Sequence, residues 1–457
     1  MYGAAELRLW ARRIRPTLGD GSSFLVVTQS VQLFLRIFSS LIVTRLLSPE
    51  AYGVIGVITS VSYILVMVSD MGLRAYIIRH KEAGDGLIQT VWTVRVLRCL
   101  VLFLVMFIGA GAFAKAYNAP EVATAIRVCA FLFLIEAGSS LGPPLAERRR
   151  EVIKCAAIDF AKFVFVTSTT IIAALYFRTY WAIVISMFAG AVLGFIISYT
   201  LLKGPSVRFS LNRDHVIDLW RFWRIIIPSS IVTIGLTQAN VFAVARFFPL
   251  EELGRYTLAI TIAGAVGSLS GEYIMRVFFP LYAEARRIGA ARAQAAYYAA
   301  RRNMMMFFAL GIGGLVGGGE LIVRLLYNED FLGAGYYLSL ACLAPFARLF
   351  SFPAEQAIIT NGFLRVALHA NVLRLLWILA AGYCAYSAFG PAGLIVAIFL
   401  TEAMVAPYYL WHLHRHGLLR LTEEGLIFAV GLIGAIIGYL VNLGAERLIA
   451  AGYLPNF

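Results

Sequence analysis

The sequence predicts an all-α, polytopic membrane protein, and three observations carry that reading. Of 457 residues, 60% are apolar and only 14% charged, against about 45–50% and about 25% in a soluble domain; the mean hydropathy is +0.80. Apolar stretches of about 19 residues, long enough at ~1.5 Å per residue to cross a ~30 Å hydrocarbon layer, recur along the whole chain. The segments between them alternate in Lys and Arg content. Together these exclude a water-soluble globular enzyme and, except at the ends, a disordered chain.

Residues 1–23 come first, as a cytoplasmic amphipathic segment. Leu7-Arg8-Leu9-Trp10-Ala11-Arg12-Arg13-Ile14-Arg15 mixes cationic and apolar residues and suits the membrane surface. The apolar run after it is long and has no small-residue cleavage site, so it is not a signal peptide. Spans are then expected to start near Phe24, Gly53, Ile88, Val122, Ile153, Tyr180, Phe222, Leu253, Arg302, Gly333, Leu364, Pro391 and Gly425, about thirteen in all and within 12 to 14. The first six form an N-lobe over 24–203, a cytoplasmic loop fills 204–221, six more form a C-lobe over 222–415, and 416–457 holds an extra span and the C-terminus.

One set of loops carries Arg79 and Lys81, Arg148 to Arg150 with Lys154, Lys203 to Arg221, Arg286, Arg287, Arg292 and Arg301, Arg365, and Arg415 and Arg420. The opposite set has little beyond Lys115, Arg178, Arg255, Arg324 and Arg447. The positive-inside rule therefore puts the N-terminus in the cytoplasm, and thirteen spans leave the C-terminus outside. Trp92, Trp181, Trp220, Trp223 and Trp411 fall near span ends, as an aromatic belt requires. The net charge of +14 reports this topology and not nucleic-acid binding. Five scattered cysteines in apolar surroundings read as packing residues, with no metal site or disulfide frame.

The chain repeats itself. Arg45, Glu50 and Gly53 after the first span recur as Arg246, Glu251 and Gly254 after the seventh, at one offset of 201 residues. One helix later, Asp70 and Arg74 are echoed by Glu272 and Arg276, each an acid with an arginine four residues on and so on one helix face. Six spans separate the copies, so the halves are parallel repeats about an axis along the membrane normal. Such folds bind substrate between their halves and rock one against the other.

Arg36, Glu136, Arg348, Arg374 and Glu402 lie at least about a turn inside their spans, where each would cost roughly 2.5–3.5 kcal/mol facing lipid. They are expected to face protein or a water-filled cavity. Arginine outnumbers acid in this set, and a guanidinium grips phosphate oxygens in bidentate fashion. The candidate substrate-binding residues are therefore Arg36, Arg74, Arg276, Arg348 and Arg374. Asp70, Glu136, Asn240, Glu272 and Glu402 are candidates for polar cavity lining or ion coupling. The competing reading is that Asp70 with Arg74, and Glu272 with Arg276, are structural pairs, and that charges near span ends reach the headgroups. His412, His414 and His416 fit a basic juxtamembrane segment better than a metal site. No nucleotide-binding loop, Rossmann fingerprint or zincin motif occurs, and no cofactor is implied.

Thr44-Arg45-Leu46-Leu47-Ser48-Pro49-Glu50-Ala51-Tyr52-Gly53, then Asp70-Met71-Gly72-Leu73 and Ile77-Ile78-Arg79-His80-Lys81-Glu82, resemble the N-terminal signature of the polysaccharide transporter family, the lipid-linked oligosaccharide flippases of O-antigen and exopolysaccharide synthesis. Phe278-Phe279-Pro280-Leu281-Tyr282, Gln356-Ala357-Ile358-Ile359 and Asn361-Gly362 are similar too. The resemblance implies two lobes of six helices and a bacterial inner-membrane location. It also implies non-enzymatic export of a polyprenyl-pyrophosphate-linked oligosaccharide to the periplasmic leaflet, by alternating access in a cationic cavity. Arg36 and Arg276 are best placed to hold the pyrophosphate. The implied partners are the lipid-linked oligosaccharide, membrane lipids, H+ or Na+ where export is ion-coupled, and the polymerase and glycosyltransferases of the same pathway. Two alternatives stay open: a multidrug or small-metabolite antiporter of the same superfamily, and a membrane-embedded glycan polymerase, ligase or acyltransferase.

Overall fold

The computed structural model describes residues 20–69, 84–149, 151–202, 208–221 and 244–450, with 73, 77, 204, 223, 238, 241 and 242 besides. These residues are overwhelmingly helical, and no strand occurs among them. The helices are α1 (Asp20–Leu46), α2 (Pro49–Val68), α3 (Asp85–Ala116), α4 (Ala123–Gly138), α5 (Gly142–Arg148), α6 (Val152–Phe177) and α7 (Trp181–Thr200). They continue as α8 (Leu250–Tyr273), α9 (Phe279–Ile288), α10 (Ala290–Ala299), α11 (Arg302–Leu326), α12 (Ala334–Ala341), α13 (Leu343–Thr360), α14 (Leu364–Phe399), α15 (Thr401–Arg415) and α16 (Leu421–Ala450).

Most expected span starts fall within a few residues of a helix start. Eight helical stretches among the described residues are each long and apolar enough to cross a membrane, or nine when the bent pair formed by the fourth helix and α5 is one broken span. The expected seventh span lies largely outside the described residues, so thirteen stays an expectation. The protein is a multi-pass membrane protein: Ile172 and Leu175 on α6, and Ile433, Ile436 and Leu440 on α16, are large apolar side chains left exposed, as lipid solvation requires.

Two compact units fall within residues 14–251 and 252–457. In the first, α2 opens with Ser48 at its N-cap in extended conformation, Pro49 in the first turn and Glu50 beside it, a favoured start because proline needs no donor there and an acid complements the helix dipole. Val43, Leu47, Ala51, Ala173, Ala174 and Ala182 form a core that holds the α1–α2 corner against the adjoining ends of α6 and α7. A second core joins Leu73, Ile77, Leu87, Val91, Leu141 and Leu145.

In the second unit, the π-helical turn Ile274–Phe278 interrupts the helix between α8 and α9. Pro280 lacks the amide that would bond the residue 276 carbonyl, and a wider turn accommodates that loss. Between the expected eleventh and twelfth spans, Gly390 takes φ 65° and ψ −155° before Pro391. Proline disfavours helical geometry in its predecessor, and glycine alone adopts this one without strain.

The stretch from Tyr282 to Arg301, expected as a loop, is instead largely helical in α9 and α10, which meet at Gly289. Alanine at 290, 291, 293, 295, 296 and 299 supplies the propensity. α11 and α16 pack backbone to backbone: a Cβ at Gly317 would overlap the Ala435 carbonyl oxygen, and one at Gly434 the Leu310 carbonyl oxygen. Gly313 meets Gly431, and Gly438 meets Gly314, in the same seam. Close approach through small residues is how helices associate where lipid removes the hydrophobic drive.

Candidate functional site

Helical periodicity sets out the charged cluster of the second unit. Arg348, Ser351, Phe352 and Glu355 lie at i, i+3, i+4 and i+7 on α13 and so share one face. Asn371 and Arg374 are three apart on α14, and Glu402 stands in the first turn of α15, where the helix dipole favours an acid.

Arg374, buried, donates through Nη2 to Glu402 Oε2 at 3.1 Å and through Nη1 to Asn371 Oδ1 at 2.7 Å. Ser351 Oγ donates to the same Glu402 oxygen at 3.0 Å. The Arg374 guanidinium lies 5.8 Å from the ring centre of Tyr409. Glu355 feels Arg374, Glu402 and Arg348 electrostatically. Buried Arg374 thus has an acid already in hand.

Of the residues expected to form a site, the structure brings Arg374 and Glu402 together. Arg348 is exposed, its guanidinium 4.8 Å from the Phe352 ring centre. Arg36 on α1 is exposed, 6.0 Å from the Phe163 ring centre, with no carboxylate partner among the described residues. Glu136 on α4 accepts from Arg98 Nη2 of α3 at 3.0 Å. Glu272 is half-buried near the end of α8. Asp70, Arg74 and Asn240 lie outside the described residues, as does the side chain of Arg276, whose backbone sits in the π-turn. In the repeated motif, Gly53 and Gly254 are buried, Arg45, Glu50 and Arg246 exposed, and Glu251 intermediate.

Another ion pair leaves no trace in the sequence pattern. Arg301, expected as a loop cation, is fully buried and bonds Glu424 at the start of α16. Tyr298 donates to the same carboxylate at 3.1 Å and accepts the Arg420 amide at 2.8 Å. The Tyr297 ring centre lies 4.5 Å from the Arg301 guanidinium. The partners are 123 residues apart in sequence, so periodicity gives no hint of them. Arg95, within α3, bonds the Ser139 and Ser140 carbonyls where α4 ends.

An all-helical, multi-pass membrane protein with ion pairs closed between its spans is the class these features define. Residues 42–335 match the family described as "Polysaccharide biosynthesis protein", and the chain belongs to that family. The match opens two residues before the Thr44–Gly53 signature that carries the resemblance. The succinoglycan biosynthesis transport protein ExoT of Rhizobium meliloti (strain 1021) is 24% identical over 255 residues, covering 56% of this chain and 51% of that one. The teichuronic acid biosynthesis protein TuaB of Bacillus subtilis (strain 168) is 21% identical over 311 residues, covering 65% and 61%. The chain therefore spans about half to three fifths of the curated relatives it matches. In fold it is similar to the lipid II flippase MurJ in an inward closed conformation, with a TM-score of 0.71 at 11% identity over 93% of each chain. It is also similar to an inward-facing multidrug resistance MATE family transporter, with a TM-score of 0.60 at 16% identity over 86% of this chain and 98% of that one.

Proposed function

We propose that the protein is a flippase that moves a polyprenyl-pyrophosphate-linked oligosaccharide from the cytoplasmic to the periplasmic leaflet of a bacterial inner membrane by alternating access. Family membership over residues 42–335 is the observation that carries this reading. The arginine excess among the intramembrane charges supports it, because a pyrophosphate is an anion that guanidinium groups hold well. Flipping makes and breaks no covalent bond, and the lipid tail stays solvated by the bilayer while the head group crosses.

Within this reading the pair Arg374–Glu402 couples the step to an ion. With Glu402 ionised the arginine's charge is balanced internally; when Glu402 takes a proton, the arginine is released to meet a phosphate. Arg36, Arg74, Arg276 and Arg348 supply the remaining cationic contacts, and the two repeated halves are the moving parts.

Deleting the gene in its host tests the function directly. Surface polysaccharide is expected to disappear while polyprenyl-pyrophosphate oligosaccharide accumulates on the cytoplasmic leaflet, both reversed by the wild-type gene. Normal surface glycan without accumulation, in a strain with no second exporter, overturns the reading.

A further inference from the structure

A cavity of about 250 Å3 opens in the second unit among the ends of α9, α10, α13 and α15, far above the ~30 Å3 share of one water molecule. Its polar wall is Tyr282 and Arg286 on α9, Gln294 on α10, Asn361 after α13 and His416 after α15, and none of its lining residues is acidic. The wall is built, not loosely gathered. Asn361 donates to Tyr282 Oη at 2.9 Å and to the Ala357 carbonyl at 2.8 Å, and it accepts from Arg286 Nε. Gln294 donates to the Gly417 carbonyl at 2.5 Å. His416 stacks on Phe363, ring centres 4.3 Å apart and planes within 18°.

Only Nε of Arg286 is engaged, so its two terminal nitrogens have no hydrogen-bond partner among the described residues. Arg286 lines a cavity rimmed by an imidazole and amides and no carboxylate, in a region where Arg287, Arg365, Arg415 and Arg420 are all exposed. A planar cationic fork over uncharged donors is the chemistry that recognises a phosphate group. The site also lies where helices end in the basic connections, the place at which anionic head groups reach a membrane protein.

We propose that this cavity binds a phosphate group, presented by the head group of an anionic phospholipid, with Arg286 as the principal ligand and His416 beside it. The site is separate from the Arg374 cluster and does not depend on the transport reading.

The full chain is reconstituted in phosphatidylcholine nanodiscs, with phosphatidylglycerol, with inorganic phosphate, or with neither, and its unfolding temperature is measured. Phosphatidylglycerol is expected to raise it by about 2 °C or more in the wild type. That gain is lost in Arg286→Gln/His416→Gln and kept in Arg178→Gln, a residue of the other unit that does not line the cavity. A gain from inorganic phosphate alone, lost in the same double variant, upholds the phosphate site with a soluble source. Equal gains in wild type and double variant, or no gain with either addition, overturn the proposal. If the double variant does not fold, Gln294→Glu replaces it, since a carboxylate then enters the cavity while Arg286 itself is unaltered. Undiminished gain in that variant overturns the proposal too.

Discussion

Arg374 and Glu402, 28 residues apart in the chain, meet at 3.1 Å between α14 and α15, on opposite sides of the Gly390–Pro391 break. The break lets two consecutive spans run back along each other, so the pair closes a hairpin of helices. Ser351 on α13 bonds the same carboxylate, and three helices are tied through one oxygen.

Removing one member of that pair is expected to cost far more than removing both. Glu402→Gln or Arg374→Gln leaves a buried charge or dipole unpaired, a loss of about 3–5 kcal/mol, whereas Arg374→Met with Glu402→Leu is expected within about 1–2 kcal/mol of wild type. Thermal unfolding in detergent reads this difference. The folded double variant is then expected to have lost export, measured as surface polysaccharide; full export in it would sink the coupling role.

Neighbouring tyrosines predict opposite outcomes. Tyr298→Phe removes both the bond to Glu424 and the one from the Arg420 amide, a cost of about 1–3 kcal/mol. The Tyr297 hydroxyl is buried without a hydrogen-bond partner among the described residues, so Tyr297→Phe is expected to leave stability unchanged or raise it. Unfolding temperatures of the two single variants check the contrast, and equal losses would contradict it.

Glycines on one helix also separate. Gly317→Val forces α11 off the Ala435 carbonyl, while Gly311 has nothing within 4 Å of a new Cβ. Gly317→Val is expected to cut the yield of folded protein severely and Gly311→Ala to leave it intact, as judged by size-exclusion profiles. Similar profiles for the two would show that the seam is not tight.

Sidedness has its own test. In a variant with its native cysteines replaced, Arg178→Cys is expected to react with a membrane-impermeant maleimide in intact cells with a permeable outer envelope. Arg287→Cys is expected to react only after the inner membrane is opened. The reverse pattern would invert the topology.

The helices were legible because an apolar stretch bounded by Gly, Pro or charge has few alternatives in a membrane: α3, α6, α11 and α14 begin within a few residues of Ile88, Ile153, Arg302 and Leu364. What stayed hidden were relations between distant residues. Arg301 looks in sequence like one more basic loop residue, since nothing near it announces Glu424. Arg374 and Glu402 are visible singly, because a charge inside an apolar run is conspicuous, but their pairing needs the hairpin at Gly390. Ser351 and Asn371, small and neutral, give no signal at all. The Tyr282 to Arg301 stretch misleads in the other direction, its arginines suggesting a loop where alanine propensity prevails.

The glycine seam between α11 and α16 bears on how the two helices came to fit each other. A span appended to a finished bundle would meet a surface already covered with side chains. Here both surfaces are bare: Gly313 and Gly317 of α11 meet the backbone at Gly431 and Ala435, and Gly434 and Gly438 of α16 meet the backbone at Leu310 and Gly314. The two helices therefore fit as a pair, and a side chain added on either stripe pushes the other away. A relative without a counterpart of α16 is expected to carry bulkier residues along the matching stripe of its α11.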